Sequence, residues 1–291
     1  MIFPMNAKEA GKKAEQLLND DNDIAEVKYD GSRYICDHGK FISRLGKNKT
    51  ANVPHLHEIF KNHDVILDGE IYYPGGSSMK TTEVMGSLPA RAIELQDQQG
   101  NIQYMIFDIL EYKGKSLIDQ PWENRRVELE DYYFNNLSET PDVWLTNFVH
   151  NKKALLSRAY EQNWEGIMLK NRYGLYIPNK RPEHNWYKIK RHITYDVVIM
   201  DFEAGKGKFK GQIGSIVFGL YDGDNLVPVG KCSGMTDGQR QLMSDHPERY
   251  IGRVIEIGAM ERTKDGKFRH PQFKMLRDDK DAKKCVMEDN E

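Results

Sequence analysis

The chain has 291 residues, of which 39% are hydrophobic and 30% charged, enough for one large domain or a larger and a smaller one beneath a very polar surface. A formal net charge of −2 excludes a globally basic nucleic-acid binder, so any polyanion must be met by a local basic surface. Cys36, Cys232 and Cys285 lie far apart without a Cys-x-x-Cys pair, which excludes a disulfide framework and a zinc module and suits a reducing cytosol. No apolar run approaches a signal-peptide core or a membrane span, so a soluble, cytoplasmic protein is expected.

The pattern over 6–18 predicts a helix, with Ala10, Ala14, Leu17 and Leu18 on one side and lysines on the other. It leads into Glu26-Val27-Lys28-Tyr29-Asp30-Gly31-Ser32-Arg33. Read as a strand, this stretch puts Glu26, Lys28 and Asp30 on one face and Val27 and Tyr29 on the other. Gly31 lets a bulky ligand approach the backbone. Arg33 offers a fork of donors suited to a phosphate or carboxylate. Residues 31–47 read as a hairpin. A short helix over 54–62 carries His55, His57 and His63; positions i and i+2 on a helix do not face one another, so structural rather than metal-binding roles are expected. Residues 65–73 form a buried strand with Asp68 and Glu70 on one face, and carboxylates in an apolar run need a cation or a metal.

Residues 81–99 read as helical, broken at Gly86 and Pro89, and 104–110 as a buried strand carrying Asp108. The pattern over 115–137 predicts a long amphipathic helix with Trp122, Val127, Leu129 and Tyr133 inward, and 151–162 a shorter one. Strands follow at 165–170 and 186–190, joined by the connection 178–185. This irregular mixture predicts an α+β domain over 1–192. Beyond it, short β-like runs at 195–201, 214–221, 226–231 and 253–260 alternate with glycine-rich turns, with one helix at 236–244. That pattern predicts a small all-β barrel of the OB type over 193–291. Gly223-Asp224-Asn225 reads as a tight turn, and the acidic tail Glu288-Asp289-Asn290-Glu291 as a frayed end.

A lysine amine attacks phosphorus only when neutral, and a free lysine has a pKa of about 10.4. Lys188 and Lys190, on one face of their strand, could lower that of Lys28 and neutralise charge on a transferring phosphate. Glu165 and Glu70 could hold magnesium, a hard cation that prefers carboxylate oxygens. Strict alternation puts Glu165 and Lys170 on opposite faces, so spacing alone does not bring Lys170 into the site. Phe107 could stack on a purine if its ring opens onto a cleft. By themselves, Lys188 and Lys190 read equally as a solvated pair, Glu70 and Glu165 as structural ion pairs, and Phe107 as core. A local basic surface is found in Arg262, Lys264, Lys267, Arg269, Lys274 and Arg277, with Phe268 and Phe273 interleaved. Lys206, Lys208 and Lys210 around Phe209 form another. Exposed charge runs are usually solvated faces, and a polyanion meeting these two would be held by its phosphates without being read in sequence.

Lys28-x-Asp30-Gly31-x-Arg33 resembles the first motif of the covalent nucleotidyltransferases, the polynucleotide ligases and mRNA capping enzymes, in which the lysine becomes linked to a nucleotide. Further segments follow in the order found in the ATP-dependent DNA ligases: Ser43-Arg44, Asp68-Gly69-Glu70, Phe107-Asp108, Glu165-Gly166 with Lys170, Trp186 to Lys190, and Arg277-Asp278-Asp279-Lys280. The resemblance covers nearly the whole chain. It implies ATP and Mg2+ or Mn2+ as cofactors and nicked duplex DNA as partner. Lys28 would become adenylylated, AMP would pass to the 5′-phosphate at a nick, and the neighbouring 3′-hydroxyl would displace it. By that resemblance Asp30 belongs to the catalytic motif, Glu26 contacts the adenine amino group, and Arg33 and Glu70 the ribose region. Phe107 stacks on the base, Glu165 serves the metal, Lys188 and Lys190 the α-phosphate, and Arg44 the nick ends. The barrel is implied to swing over the nucleotide, so that Arg277 and Lys280 orient pyrophosphate in the first step only.

No clamp domain precedes Lys28 and no zinc or helix-hairpin-helix region follows, so a minimal, monomeric enzyme of the viral, phage or bacterial kind is expected. Three other readings stay open. One is a GTP-loading capping guanylyltransferase, another an RNA ligase. The third is a non-enzymatic single-strand binder built on the barrel, which would leave the lysine stretch and the buried carboxylates without a purpose.

Overall fold

The computed structural model describes residues 2–75, 78–191, 193–259, 262 and 266–287. Two compact units divide between residues 191 and 192.

In the first unit the elements are β1 (Lys8–Glu9), α1 (Ala14–Asn19), β2 (Asp23–Val27), β3 (Ser32–Asp37), β4 (Lys40–Ser43), α2 (Pro54–Phe60), β5 (Val65–Tyr72), α3 (Ser78–Gly86) and α4 (Pro89–Gln99). They continue with β6 (Gln103–Tyr112), β7 (Lys115–Ser116), α5 (Trp122–Asn136), β8 (Val143–Leu145), β9 (Phe148–Val149), α6 (Lys152–Glu161), β10 (Gly166–Asn171) and β11 (Trp186–Lys190). One sheet runs β1-β11-β10-β2-β9, and a second runs β4-β3-β5-β6-β7 with β8 alongside β6. The larger core lies on the second sheet, where the Phe41 ring meets Tyr104 edge-to-face at 5.2 Å among Phe60, Leu67, Ile106 and Leu129. Such ring pairs fill space between pleats without a void.

Several expectations are corrected here. Residues 6–18 are not one helix: Lys8 and Glu9 pair in parallel with Tyr187 and Lys188 of β11, and the α-helix starts only at Ala14. A sheet edge outweighs a weak local helical pattern. The strand at Glu26 stops at Val27, so Lys28 sits just beyond it, its N–H donating to the Gly166 carbonyl at 3.0 Å. Residues 115–116 are a strand and the long helix begins at Trp122. Its inward face carries Arg125 and Arg126 while Val127 is exposed. Arg125 is buried because its guanidinium meets Asp108 bidentately at 2.8 and 2.7 Å, which satisfies both charges. The three histidines near α2 have structural partners: the Ile102 carbonyl for His55, the Gly39 carbonyl for His57 and the Tyr132 hydroxyl for His63.

The second unit contains β12 (Ile193–Ala204), β13 (Ile213–Asp222), β14 (Asn225–Cys232), α7 (Asp237–Asp245), β15 (Val254–Ala259) and β16 (Gln272–Leu276). The antiparallel order is β14-β13-β12-β15-β16. Ser233, just past β14, bridges Gln272 at the start of β16, so the two outer strands meet and the sheet closes on itself. Val197, Phe218, Ile255, Ile257 and Phe273 fill its interior. Thr236 and Gln239 form a capping box at the start of α7, satisfying two backbone donors reciprocally. Among the described residues no helix is long and apolar enough to cross a membrane. All three cysteines are free and buried.

Candidate active site

A pocket of about 440 Å³ in the first unit is lined by residues of both sheets. Glu26, Lys28, Arg33, Arg44, Glu70, Phe107 and Lys188, all singled out in the sequence, line it together with Met168, Lys170 and Trp186. The Lys28 ammonium is hydrogen-bonded to Glu165 Oε2, and Lys190 Nζ lies 3.2 Å from the other oxygen, Oε1. The Glu165 side chain is itself buried, 5% exposed, so two cations, Lys28 just past β2 and Lys190 at the end of β11, share one carboxylate. Lys188, opposite Glu9 in the sheet, pairs with it at 3.1 Å. Lys190 and Asp30 lie outside the pocket's lining. The Asp30 carboxylate accepts from the Ser78 N–H at the start of α3, at 3.4 Å.

Two glycines set this geometry. Gly166 has φ +144° and a Cβ there would lie 2.0 Å from the Ile189 carbonyl oxygen, so no other residue fits. That turn interrupts the alternation between Glu165 and the strand that follows, which is why both Glu165 and Lys170 reach the site. Gly31 also serves packing: a Cβ would sit 2.1 Å from the Ile71 carbonyl oxygen. The approach it permits is that of β5's own backbone, not a ligand's.

Arg33 is spent on the protein. It forms a bidentate pair with Asp68, donates to the Met5 carbonyl at 2.6 Å and reaches the Tyr176 hydroxyl at 3.3 Å. Asp68 is fully buried and also accepts from Tyr176 at 2.6 Å. Burial pushes the Glu70 carboxyl up to about 7, with Lys28 and Arg33 pulling it down and the Glu165 carboxylate pushing it further up. Phe107 is half-buried at the pocket, edge-to-face with Trp186 at 6.0 Å. Lys170 Nζ sits 4.8 Å from the Phe107 ring centroid and 4.5 Å from that of Trp186, within cation–π range of both.

Sequence reasoning matched Lys170 to a family segment but, on spacing, gave it no place in the site. Lys170 is 1% exposed and bonds Glu26 Oε2 at 2.8 Å and the Phe107 carbonyl at 3.0 Å. The available signal was the i, i+2 relation of Met168 and Lys170, counted from after Gly166 rather than from Glu165. Glu9 and Arg181 were missed, because nothing local marks them.

In the second unit Arg277 is paired bidentately with Asp279 at 2.9 Å and also meets Asp196 and Glu256 at 3.1 and 3.2 Å. Lys280 lies 3.4 Å from Asp196. Lys206, Lys208, Lys210, Lys267 and Lys274 are exposed, and Arg262 and Arg269 partly so. Lys264 and the acidic tail 288–291 lie outside the described residues. The aromatics interleaved with these cations do not face solvent: Phe268 and Phe273 are buried in the barrel core. Phe209 is covered by the Arg240 guanidinium at 3.9 Å from its centroid.

Residues 4–190 match the ATP dependent DNA ligase domain. The chain belongs to the ATP-dependent DNA ligase family. Residues 204–277 match the DNA ligase OB-like domain, so an α+β ligase domain is followed by an OB-like all-β domain. A DNA ligase of Methanoculleus marisnigri is 29% identical over 302 residues, covering 94% of this chain and 54% of that protein. One of Methanocorpusculum labreanum is 30% identical over 289 residues, covering 89% and 52%. The chain thus spans about half the length of the curated relatives it matches. Its fold resembles a solved Lig E DNA ligase, with TM-score 0.71 at 20% identity over 95% of this chain and 100% of that one. A mycobacterial DNA ligase D complexed with ATP and MES gives TM-score 0.52 at 25% identity over 99% and 98%.

Proposed function

We propose that this ligase-family chain seals 5′-phosphate/3′-hydroxyl nicks in duplex DNA using ATP, through a lysyl-AMP on Lys28. The observation that carries the reading is the Lys28 amine at the wall of a nucleotide-sized pocket, held by a buried glutamate that it shares with Lys190. Lys28 Nζ, once it has given its proton to solvent, bonds to the α-phosphorus of ATP while the bond to the pyrophosphate oxygen breaks. The 5′-phosphate of the nick then takes AMP, the N–P bond breaks and the lysine is restored. Attack by the 3′-hydroxyl on that 5′-phosphorus expels AMP and forms the phosphodiester.

Lys188 and Lys190 present positive charge where negative charge builds on the transferring phosphate. Phe107 offers a face for the base, and Arg33, committed to Asp68, acts as a rigid wall of the pocket rather than a free phosphate clamp. The donor set suits a hard divalent cation, since two carboxylates stand close enough that the Glu165 charge pushes the half-buried Glu70 carboxyl up. Mg2+ or Mn2+ held by Glu165 and Glu70 would neutralise triphosphate charge. Arg44, exposed at the rim, is placed to meet the nick ends.

The test is incubation with α-labelled ATP or GTP and magnesium, denaturing electrophoresis, and then addition of a nicked duplex. The protein is expected to take label from ATP, transfer it to the nick and seal it, and Lys28→Ala to take none. Label retained in Lys28→Ala, or no label from any nucleotide, would refute the reading. Label from GTP alone would point to a capping enzyme, and sealing confined to RNA strands to an RNA ligase.

A further inference from the structure

Glu26 lines the pocket, 2% exposed, directly opposite Met168 in the β2–β10 ladder. Its two carboxylate oxygens differ in kind. Oε2 is bonded by Lys170 Nζ at 2.8 Å, while Oε1, equally buried, accepts no hydrogen bond from any described residue. A buried acceptor left without a donor is unfavourable, so a ligand donor at that point recovers the loss. Lys170 is in turn fixed by the Phe107 carbonyl and by the Phe107 and Trp186 rings, leaving it little freedom to move.

We propose that Lys170 is the positioning residue that sets the purine preference of this pocket: it anchors Glu26 through Oε2 so that Oε1 is presented as a pure acceptor to the substituent at position 6 of the base. An amino group there, as in adenine, donates to Oε1. An oxo group, as in guanine, brings two acceptors together and is rejected, because a buried mismatch of this kind is far costlier than a missing contact. The inference rests on the proposed function, and Lys170 acts through Glu26 rather than on the reacting atoms.

Charge as well as geometry decides whether Glu26 is a pure acceptor, because burial pushes the Glu26 carboxyl up and the Lys170 ammonium down. The Lys170 ammonium is the first of the groups that pull the carboxyl back, followed by Arg126, while Asp108 pushes it up again. Arg126 is committed elsewhere, to Glu130 and the Thr146 carbonyl at 2.7 Å each. Of the remaining titratable neighbours, Tyr29 is held protonated by burial. Without the Lys170 charge the carboxyl is more readily protonated, and a protonated Glu26 can donate to the oxo group of guanine.

The experiment compares labelling of Lys28 by α-labelled ATP and α-labelled GTP in the wild type, Lys170→Met and Glu26→Gln, from pH 6.5 to 9. In Lys170→Met the GTP-to-ATP labelling ratio is expected to rise at least about tenfold at pH 6.5 and to fall back as rising pH ionises Glu26. In Glu26→Gln, whose amide can both donate and accept, the ratio is expected to rise without the pH trend. A wild-type ratio in both variants at every pH overturns the proposal, as does a relaxed ratio in Lys170→Met that ignores pH, since a merely loosened pocket would give that. Should Lys170→Met not fold, Glu26→Gln retaining the wild-type preference suffices to overturn it. A wild type that takes no label from either nucleotide instead brings down the proposed function itself.

Discussion

Asp68 has no exposed surface, and its carboxylate is met by Arg33 and Tyr176 together. Removing one partner of such a pair leaves a buried charge unmet. Asp68→Ala is therefore expected to destabilise the protein by about 3–5 kcal/mol, read from urea unfolding, and Tyr176→Phe by about 1–2 kcal/mol. Equal, small losses from both would show that water reaches the pair. Asp23 makes the opposite point. Burial pushes its carboxyl up to about 6, against the pull of its Asn171 hydrogen bond. A carboxyl raised in the folded state costs nothing below its unfolded pKa near 4 and costs increasingly as pH rises through about 6. Asp23→Asn is accordingly expected to stabilise by ~2 kcal/mol at pH 7.5 and not at pH 4, measured as the pH-dependent difference in unfolding free energy. At this scale Lys28, Glu70 and Glu165 were legible because local motif spacing carries them. The burial of Arg125 and the Glu26–Lys170 bond were not, since both depend on partners far along the chain.

Regular elements with a sustained period were readable. The helices at 54–60, 89–99 and 152–161 lie within a few residues of the expected ranges, and Pro54 and Pro89 mark two of their starts. Strands β1, β7, β8 and β9 have two or three residues each and exist only because a longer strand offers them a ladder. Pairing of Lys8–Glu9 with Tyr187–Lys188 leaves no periodic trace in so short a stretch. Gly166 is the element-level control on the site, because its positive φ both ends the approach of residue 165 and starts β10. Gly166→Ala meets the Ile189 carbonyl oxygen at 2.0 Å and is expected to cost about 3 kcal/mol or more. Because the displaced turn also carries Glu165, labelling of Lys28 should fall further than the loss of folded protein explains. A variant whose labelling merely tracks its folded fraction would show that the turn does not position Glu165.

Across the whole molecule the charges nearly cancel, with 42 lysines and arginines against 44 acidic residues, so affinity for a polyanion must come from where the cations stand. The 206–210 loop holds three exposed lysines around the Phe209 ring, which the Arg240 guanidinium covers. The Lys208 ammonium lies over that same ring, 4.5 Å from its centroid, within cation–π range while the residue stays exposed. If all three lysines meet phosphates, each releases condensed counterions, and the slope of log affinity against log salt carries roughly 0.9 per contact. Replacing Lys206, Lys208 and Lys210 together with alanine should therefore weaken binding to a nicked duplex and reduce that slope by about 2.7. Charging of Lys28 by ATP involves no DNA and should be unchanged. A variant that binds with the wild-type slope would mean that the loop is a solvated surface, and that the grip on DNA lies among the cations between Arg262 and Lys274 instead.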